Sequence, residues 1–584
     1  MKQSTRPSSF KRFLPYLSQY KKEIIGAISL GLLGGAATVM MTYYIGQAID
    51  TMLGVGRVDF KQLVSYLLVL AGLLGVASLS QWGVQLLGNK MAYQSVATLR
   101  KESFDHLNHL PVNYYDQHSH GDIISRFTND LDTVSEACVA IFNNLFSGMT
   151  IVLIAFVSML ALSWQLTLIV LIATPLIFLI SWLVARSSQK RFASQQRLVG
   201  DISGYVNEVI GNQKLVKAFQ YEDQSQHQFD KLNHALQIEG QKAQYASSLT
   251  NPLSRFIDHL TYVFIGLIGG LLVVKGNTTL TVGMISSFTI YSGQFSKPFI
   301  ELSGITTQIQ TGLAGLDRTF QLLDEPIETE DTPGSLPLEQ ANGAIEFKHV
   351  AFSYTPDNPL IKDLNLSVKP GETIAIVGKT GAGKSTLVNL LMRFYDVSAG
   401  DILIDNHSIK DYKRDSLRKA FGMVLQDTWL FDGTVKDNLR LGKPEATDEA
   451  IIAGAKSANI HSFIMKLPQD YDTVIGSSGV KISEGQRQLL TIARTMISEP
   501  PMLILDEATS SVDTLTEQII QEGFLKMMTG RTSFVIAHRL STIRNADKIM
   551  VMDQGEVVEI GSHNDLLTIP NGAYSQLYHS QFAK

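Results

Sequence analysis

The first half of the chain alternates between long apolar runs and polar connections. The runs are Ile24–Ile45, Leu63–Leu87, Val139–Leu162, Leu166–Val184, Ile257–Val274 and Val282–Ile305. Each is near the length of about 20 residues that a helix needs to cross a bilayer. The last is the most polar, because it holds Lys297, Pro298 and Glu301. The pattern predicts an all-α membrane part of six spans. Thr51–Phe60, Ser163–Gln165 and Lys275–Thr281 are short and carry few charges, whereas Gly88–Cys138 and Ala185–Arg255 are long and rich in Lys and Arg. Basic connections stay on the cytoplasmic side. The N-terminus, with Lys2, Arg6, Lys11, Arg12, Lys21 and Lys22, belongs there too. Six spans return the chain to the cytoplasm. Within the long connections, Asn89–His109 and Ser187–Ala246 lack helix-breaking clusters and are expected to continue as helices beyond the bilayer; Pro111 and Pro252 punctuate them.

The periodicity then changes. Residues 324–343 (DEPIETEDTPGSLPLEQANG) are acidic, proline-bearing and non-periodic, which reads as a linker. Beyond them, short β-branched runs separated by helical stretches predict an α/β domain. Its strands are expected at Ala344–Val350, Leu364–Val368, Thr373–Val377, Gly400–Ile404, Met502–Leu505 and Phe534–Ala537. The expected organisation is a membrane domain over 1–323, a linker over 324–343 and an α/β nucleotide domain over 344–584.

Composition narrows this picture. At 584 residues the chain is too long for one core. Charged residues make up 18% and hydrophobic residues 45%. With a mean hydropathy of +0.09, part of it belongs in lipid. A net charge of −5 gives no electrostatic footprint for nucleic acid. The single cysteine, Cys138, excludes an internal disulfide and a cysteine-based zinc site. The first apolar run is too long for a cleaved signal peptide and reads as a membrane helix.

The chemistry is concentrated in Gly378, Lys379, Thr380, Gly381, Ala382, Gly383, Lys384 and Ser385, which fit the phosphate-loop pattern G-x-x-x-x-G-K-[ST]. An apolar strand precedes them, and a helix follows from Thr386. Glycines let backbone N–H groups curl around phosphate oxygens, and the helix start adds its positive dipole end. Lys384 is placed for the β- and γ-phosphates and Ser385 for Mg²⁺. Downstream, Met502–Leu505 leads into Asp506 and Glu507. Asp506 is placed to hold Mg²⁺, and Glu507 to position or deprotonate an attacking water. Phe534–Ala537 delivers His538 to the same strand ends, where a γ-phosphate contact is expected.

A phosphate loop alone marks a broad class. Lys481-Ile-Ser-Glu-Gly-Gln486-Arg-Gln, shortly before Asp506, resembles the signature motif of ATP-binding cassette (ABC) proteins. Six spans followed by one cassette resemble a half-transporter of the ABC exporter family, over nearly the whole chain. The resemblance implies that Tyr354 stacks on adenine and that Gln426 senses Mg²⁺ and the membrane domain. It implies that Ser483, Glu484, Gly485 and Gln486 form the signature meeting the opposite subunit's nucleotide. Ser510–Asp513 then matches the D-loop, and His538 the switch histidine. Tyr115–Asp116, Gly121–Arg126 and Asp130 resemble the first cytoplasmic coupling segment; Glu208, Val216–Phe219 and Glu222 resemble the second. ATP and Mg²⁺ are the implied cofactors.

A signature helix cannot reach the nucleotide of its own cassette, and six helices make half a pathway, so a dimer is expected. Two departures bear on the partner. The usual Leu-Ser-Gly-Gly-Gln is here Ile482-Ser-Glu-Gly-Gln, and the preceding Thr-x-x-Gly-Glu-x-Gly loop has Ser477 in place of its glutamate. Glu484 adds bulk and a like charge next to a polyanionic phosphate. These features point to a second, different half-transporter chain that lacks the catalytic glutamate, with a homodimer as the alternative.

The expected activity is ATP-driven export of small amphipathic or hydrophobic substrates across the cell membrane. The alternatives are a homodimeric lipid or peptide exporter, or a nucleotide-gated channel or its regulator. A soluble cassette ATPase is disfavoured by the apolar first half, an importer by the fused layout, and a peptide-processing exporter by the short stretch before residue 24. Ionisable residues inside spans are candidates for the substrate path. Arg255 and Asp258 open the fifth span, and Lys297 and Glu301 stand i,i+4 on the sixth. Lining a polar cavity and bracing helices through internal ion pairs are both open readings of these four.

Overall fold

A computed structural model describes residues 8–52, 58–275, 280–355, 358–426, 428–476, 479–506, 514–537 and 540–581. The chain forms two compact units. One comprises Met1–Leu110 and His118–Glu325; the other comprises Pro111–Gln117 and Pro326–Lys584.

The first unit is helical. Among the described residues, five of its helical stretches are long and apolar enough to cross a membrane: Lys21–Thr51, Phe60–Leu107, His120–Leu162, Trp164–Gly211 and Pro252–Val274. A sixth long helix, Val282–Asp324, carries Lys297, Pro298 and Glu301, the polar residues that set it apart in sequence. Several helices run well beyond bilayer thickness: Phe60–Leu107 and Trp164–Gly211 have 48 residues each. The third span is not uniform, since π-helical turns occupy Arg126–Asp130 and Asn144–Gly148. The expected continuous helix over Ser187–Ala246 is also interrupted. One helix ends at Gly211, a short one covers Gln213–Ala218, and the next starts at Glu222. Asn212 returns its side-chain amide to the Glu208 carbonyl, and Gln220 takes a left-handed φ of 51°. The chain thus turns back on itself at a point that holds no proline and no glycine cluster.

The first and sixth spans meet at glycines. A Cβ on Gly283 would lie 2.0 Å from the Gly46 carbonyl oxygen, so neither helix could approach so closely with a larger residue. Close approach lets polar side chains bridge backbones in an apolar setting. Ser287 donates to the Thr42 carbonyl at 2.8 Å, Tyr291 to the Val39 carbonyl at 2.9 Å, and Gln294 to the Thr42 hydroxyl at 2.9 Å. Asp50 accepts from the Thr281 hydroxyl at 2.6 Å and the Gly283 N–H at 2.8 Å. On the cytoplasmic extensions, Asp130 is 6% exposed and accepts two bonds from the Arg318 guanidinium. That contact holds the arginine pKa above its ordinary value.

The second unit is built on a six-stranded sheet with spatial order Glu556–Gly561, Lys548–Asp553, Thr373–Gly378, Thr532–Ile536, Met502–Asp506, Phe421–Val424. All neighbours are parallel except the first pair. The buried inner strands read as continuous apolar runs, as parallel sheets require. A smaller antiparallel sheet has the order Ile361–Val368, Ile345–Phe352, Ala399–Ile404, His407–Ser408. Part of the acidic linker is anchored: Arg418 pairs with Glu328, and the Arg414 N–H donates to Asp331 at 3.2 Å.

Candidate nucleotide site and its surroundings

The parallel strands bring separated motifs to one edge. Ile376 pairs with Ile536, Ile536 with Asp506, and Leu505 with Val424. The carboxyl ends of these four strands therefore stand side by side, which brings the phosphate loop, Asp506 and Gln426 to one edge. Such edges are where open α/β sheets bind ligands. Glu507, His538, Ser510–Asp513 and Ser477 lie outside the described residues.

The phosphate loop is shaped by its glycines. Gly381 and Gly383 have φ of 84° and 100°, a region L-residues avoid. Gly383 is the N-cap of the helix Lys384–Leu391 and has no side chain to offer its first N–H groups. Those donors stay available for an anion. The Lys384 ammonium donates to the carbonyls of Gly378 at 2.8 Å and Lys379 at 3.0 Å, which curls it into the loop. Burial lowers its pKa, while the Asp506 carboxylate works in the opposite direction. Asp506 is thus near enough to feel the lysine. Ser385, Gln426 and Asp506 together offer hydroxyl, amide and carboxylate oxygens, the hard donors that suit Mg²⁺.

Tyr354 is 44% exposed and lies beside the start of the helix that follows the loop. Its ring stands edge-on to Phe352 at 4.9 Å and to Tyr395 at 5.0 Å. Its hydroxyl lies 3.3 Å from the Thr386 hydroxyl and accepts from the Asn389 amide at 3.1 Å. Tyr395 donates to Asp116, on the helix Val112–Gln117. Burial, with that carboxylate, raises the Tyr395 pKa. Sequence reasoning singled out Asp116 but not Tyr395. The two are 279 residues apart, and no local pattern joins them.

The signature forms the start of the helix Glu484–Ser498. Ser483 is its N-cap and accepts from the Gln486 N–H at 3.4 Å, while the Gln486 side chain accepts from the Ser483 N–H at 2.9 Å. This is a capping box. Glu484 turns sideways: Arg487 donates to Oε2, and the Thr428 hydroxyl donates to Oε1 at 2.8 Å. Arg487, then Thr428, hold its pKa below the ordinary glutamate value. Its charge is therefore compensated within the chain, which reduces the expected like-charge effect on phosphate. The added bulk remains.

In the membrane unit, a cavity of about 460 Å³ lies among the first three spans, lined by residues such as Leu30, Thr38, Gln81, Trp82 and Ser147. None of its lining residues is charged. The Ser147 hydroxyl is buried, with no hydrogen-bond partner among the described residues. Arg255, Asp258, Lys297 and Glu301 do not line this cavity. Arg255 is exposed, Asp258 accepts from Tyr262 at 2.8 Å, and Lys297 and Glu301 stand 3.8 Å apart on an exposed face.

The same two-part organisation is found in known proteins. A family model for the ABC transporter transmembrane region matches residues 24–299, and one described as ABC transporter matches 361–510. The chain is 39% identical to the ABC transporter ATP-binding protein YfiC of Bacillus subtilis, over 99% of this chain and 94% of that one. It is 40% identical to a fatty acid ABC transporter ATP-binding/permease protein of Mycobacterium bovis, over 89% of this chain and 82% of that one. A Staphylococcus aureus ATP-binding/permease protein named for multidrug export is 36% identical, over 98% and 99%. The solved structure of a bacterial Atm1-family ABC exporter with ATP bound superposes with a TM-score of 0.80 at 30% identity, over 97% and 99%. Cassettes of this kind bind ATP and couple its hydrolysis to transport, and the half-transporters work as dimers. With a multi-pass membrane domain fused to a cytoplasmic cassette, the chain belongs to the ABC exporter family.

Proposed function

We propose that this half-transporter exports amphipathic or hydrophobic molecules and works with a different, homologous chain. The observation that carries the substrate class is the membrane cavity, whose walls combine Leu, Ile and Trp with uncharged Gln, Ser and Thr. Such a lining suits a ligand with an apolar body and a hydrogen-bonding head. Relatives of the chain carry names for fatty acid transport and multidrug export, which agree with this reading. The test is ATP-dependent uptake of a fluorescent long-chain fatty acid and of a fluorescent amphipathic dye into inside-out vesicles. Accumulation of either, abolished by removing ATP, is expected. Intact ATPase with no accumulation of either would favour a gated channel or regulator.

In the proposed cycle, residues 344–584 form the cassette and 324–343 join it to a membrane domain over 1–323. Tyr354 stacks on adenine, and residues 378–386 hold the phosphates. Glu507 orients and deprotonates the attacking water, and His538 contacts the γ-phosphate. Ser385, Gln426 and Asp506 would hold Mg²⁺, which when bound neutralises phosphate charge. Ser483–Gln486 would meet the partner's nucleotide.

Heterodimerisation is supported by the altered signature, in which Glu484 fills a position usually open. The Arg487 pairing of Glu484 favours the homodimer as the second reading, because a neutralised carboxylate interferes less with phosphate. Expression of the chain alone, and together with a homologous chain lacking the catalytic glutamate, separates the two. A stable lone dimer with two equivalent hydrolytic sites would overturn the heterodimer.

A further inference from the structure

The glutamate that interrupts the signature makes a contact that the usual glycine could not make. Its Oε1 accepts the Thr428 hydroxyl at 2.8 Å, across 56 residues of sequence. Its Oε2 accepts from Arg487, so both oxygens are engaged. The capping box of Ser483 and Gln486 fixes the backbone on either side of Glu484. Thr428 stands two residues beyond Gln426, in a segment that leaves the sheet edge after Val424. Leu425, Trp429 and Phe431 are exposed there, Trp429 at 71%, while Leu430 is half-buried against the hydrophobic core. It is pinned at its far end, where Phe431 N–H donates to the Asn438 side chain at 2.9 Å. Between the strand and that pin, Leu430 packs on the core, and the Thr428 hydroxyl is the hydrogen bond that reaches the signature helix.

We infer that Glu484 is a positioning residue: through Thr428 it ties the start of the signature helix to the segment behind Gln426, so that the two move as one body. A displacement at this chain's own strand edge is then carried to the face that completes the partner's site. The inference rests on the reading of Ser483–Gln486 as the segment that meets a partner's nucleotide. A glycine at position 484 would leave the helix start and the Gln426 segment joined only through backbone and the rest of the packing.

The test is a double-mutant cycle in the full-length chain in lipid nanodiscs, with its partner chain if one is needed for assembly. The variants are Thr428→Val, Glu484→Gly, both together, and Thr428→Ser. ATP turnover gives kcat and KM, and a fluorescent trinitrophenyl-ATP gives binding. Thr428→Val should lower kcat by about 2- to 10-fold, the lower part of the range for coupled residues in one hydrogen-bond network. Trinitrophenyl-ATP affinity should stay near that of the parent. The double variant should be no worse than the more impaired single one, and Thr428→Ser, which keeps the hydroxyl, should restore turnover. Additive defects, or a serine variant as poor as the valine one, would overturn the tie. If Glu484→Gly fails to assemble, the valine and serine pair still decides. A separate arm isolates the underlying reading. Ser483→Ala with unchanged turnover would remove the signature role, and the tie would then stand or fall on hydrogen exchange alone. Faster exchange at the amides of residues 485–487 in Thr428→Val supports it, and unchanged exchange overturns it.

Discussion

Two helix starts in the cassette treat their free N–H groups in opposite ways. At Lys384–Leu391 the N-cap is Gly383, in a left-handed conformation and without a side chain, and the preceding loop bends so that a lysine curls over it. At Glu484–Ser498 the N-cap is Ser483, locked with Gln486 in a capping box and flanked by a tied glutamate. The first start is preorganised for an anion. The second is satisfied by its own side chains, so any phosphate it meets must compete with them. A receptor that is complete in its own chain suits tight binding of nucleotide. One that must exchange bonds suits a contact made and broken in each cycle.

The comparison can be broken most decisively at the strand edge. Glu507→Gln should retain ATP binding yet slow hydrolysis by about 10²- to 10⁴-fold, because an amide cannot accept the proton of water. Near-normal phosphate release from the purified variant would remove Glu507 from that role. Next in size is Lys384→Ala. Loss of a charge-assisted contact to phosphate should weaken ATP binding by about 10-fold or more. Unchanged affinity by equilibrium dialysis would mean that the glycine loop is not the receptor.

The smallest effect sharpens the other side. Glu484 has a depressed folded-state pKa, set first by Arg487 and then by Thr428. Its stabilising contribution is therefore present above the unfolded value of about 4.3 and is lost as pH falls through the lower folded value. The melting-temperature difference between the parent and Glu484→Gln should be level from about pH 8 to pH 5, and should close in more acid buffer. A difference that grows on acidification would show that the carboxylate is not held as an anion.

Much of this was legible in the sequence, where the signal was local. Apolar runs located the spans, and β-branched runs located the strands that align Asp506 with the phosphate loop. The S-x-x-Q spacing of a capping box and the i,i+3 spacing of Glu484 and Arg487 are also local signals. What stayed hidden depends on contacts between distant residues or on subtle backbone turns. No pattern marks Thr428 as the partner of Glu484, or Tyr395 as that of Asp116. The turn at residues 212–221 rests on an Asn side chain and one left-handed Gln rather than on a proline or glycine cluster. The π-helical turns in the third span likewise leave no mark in hydropathy.

The short helix Val112–Gln117 belongs to the compact unit whose other residues begin at Pro326. Tyr114 on it is 5% exposed, and Asp116 is held by Tyr395. During synthesis this helix leaves the ribosome 279 residues before its tyrosine partner. At about 5–20 residues per second, it waits roughly a quarter of a minute to a minute for the surface that will cover it. In that interval its aromatic side chains are open to proteases and chaperones. A substitution at Tyr114 or Asp116 would then act on the yield of mature transporter, by weakening the docking that ends that exposure, before it could act on transport.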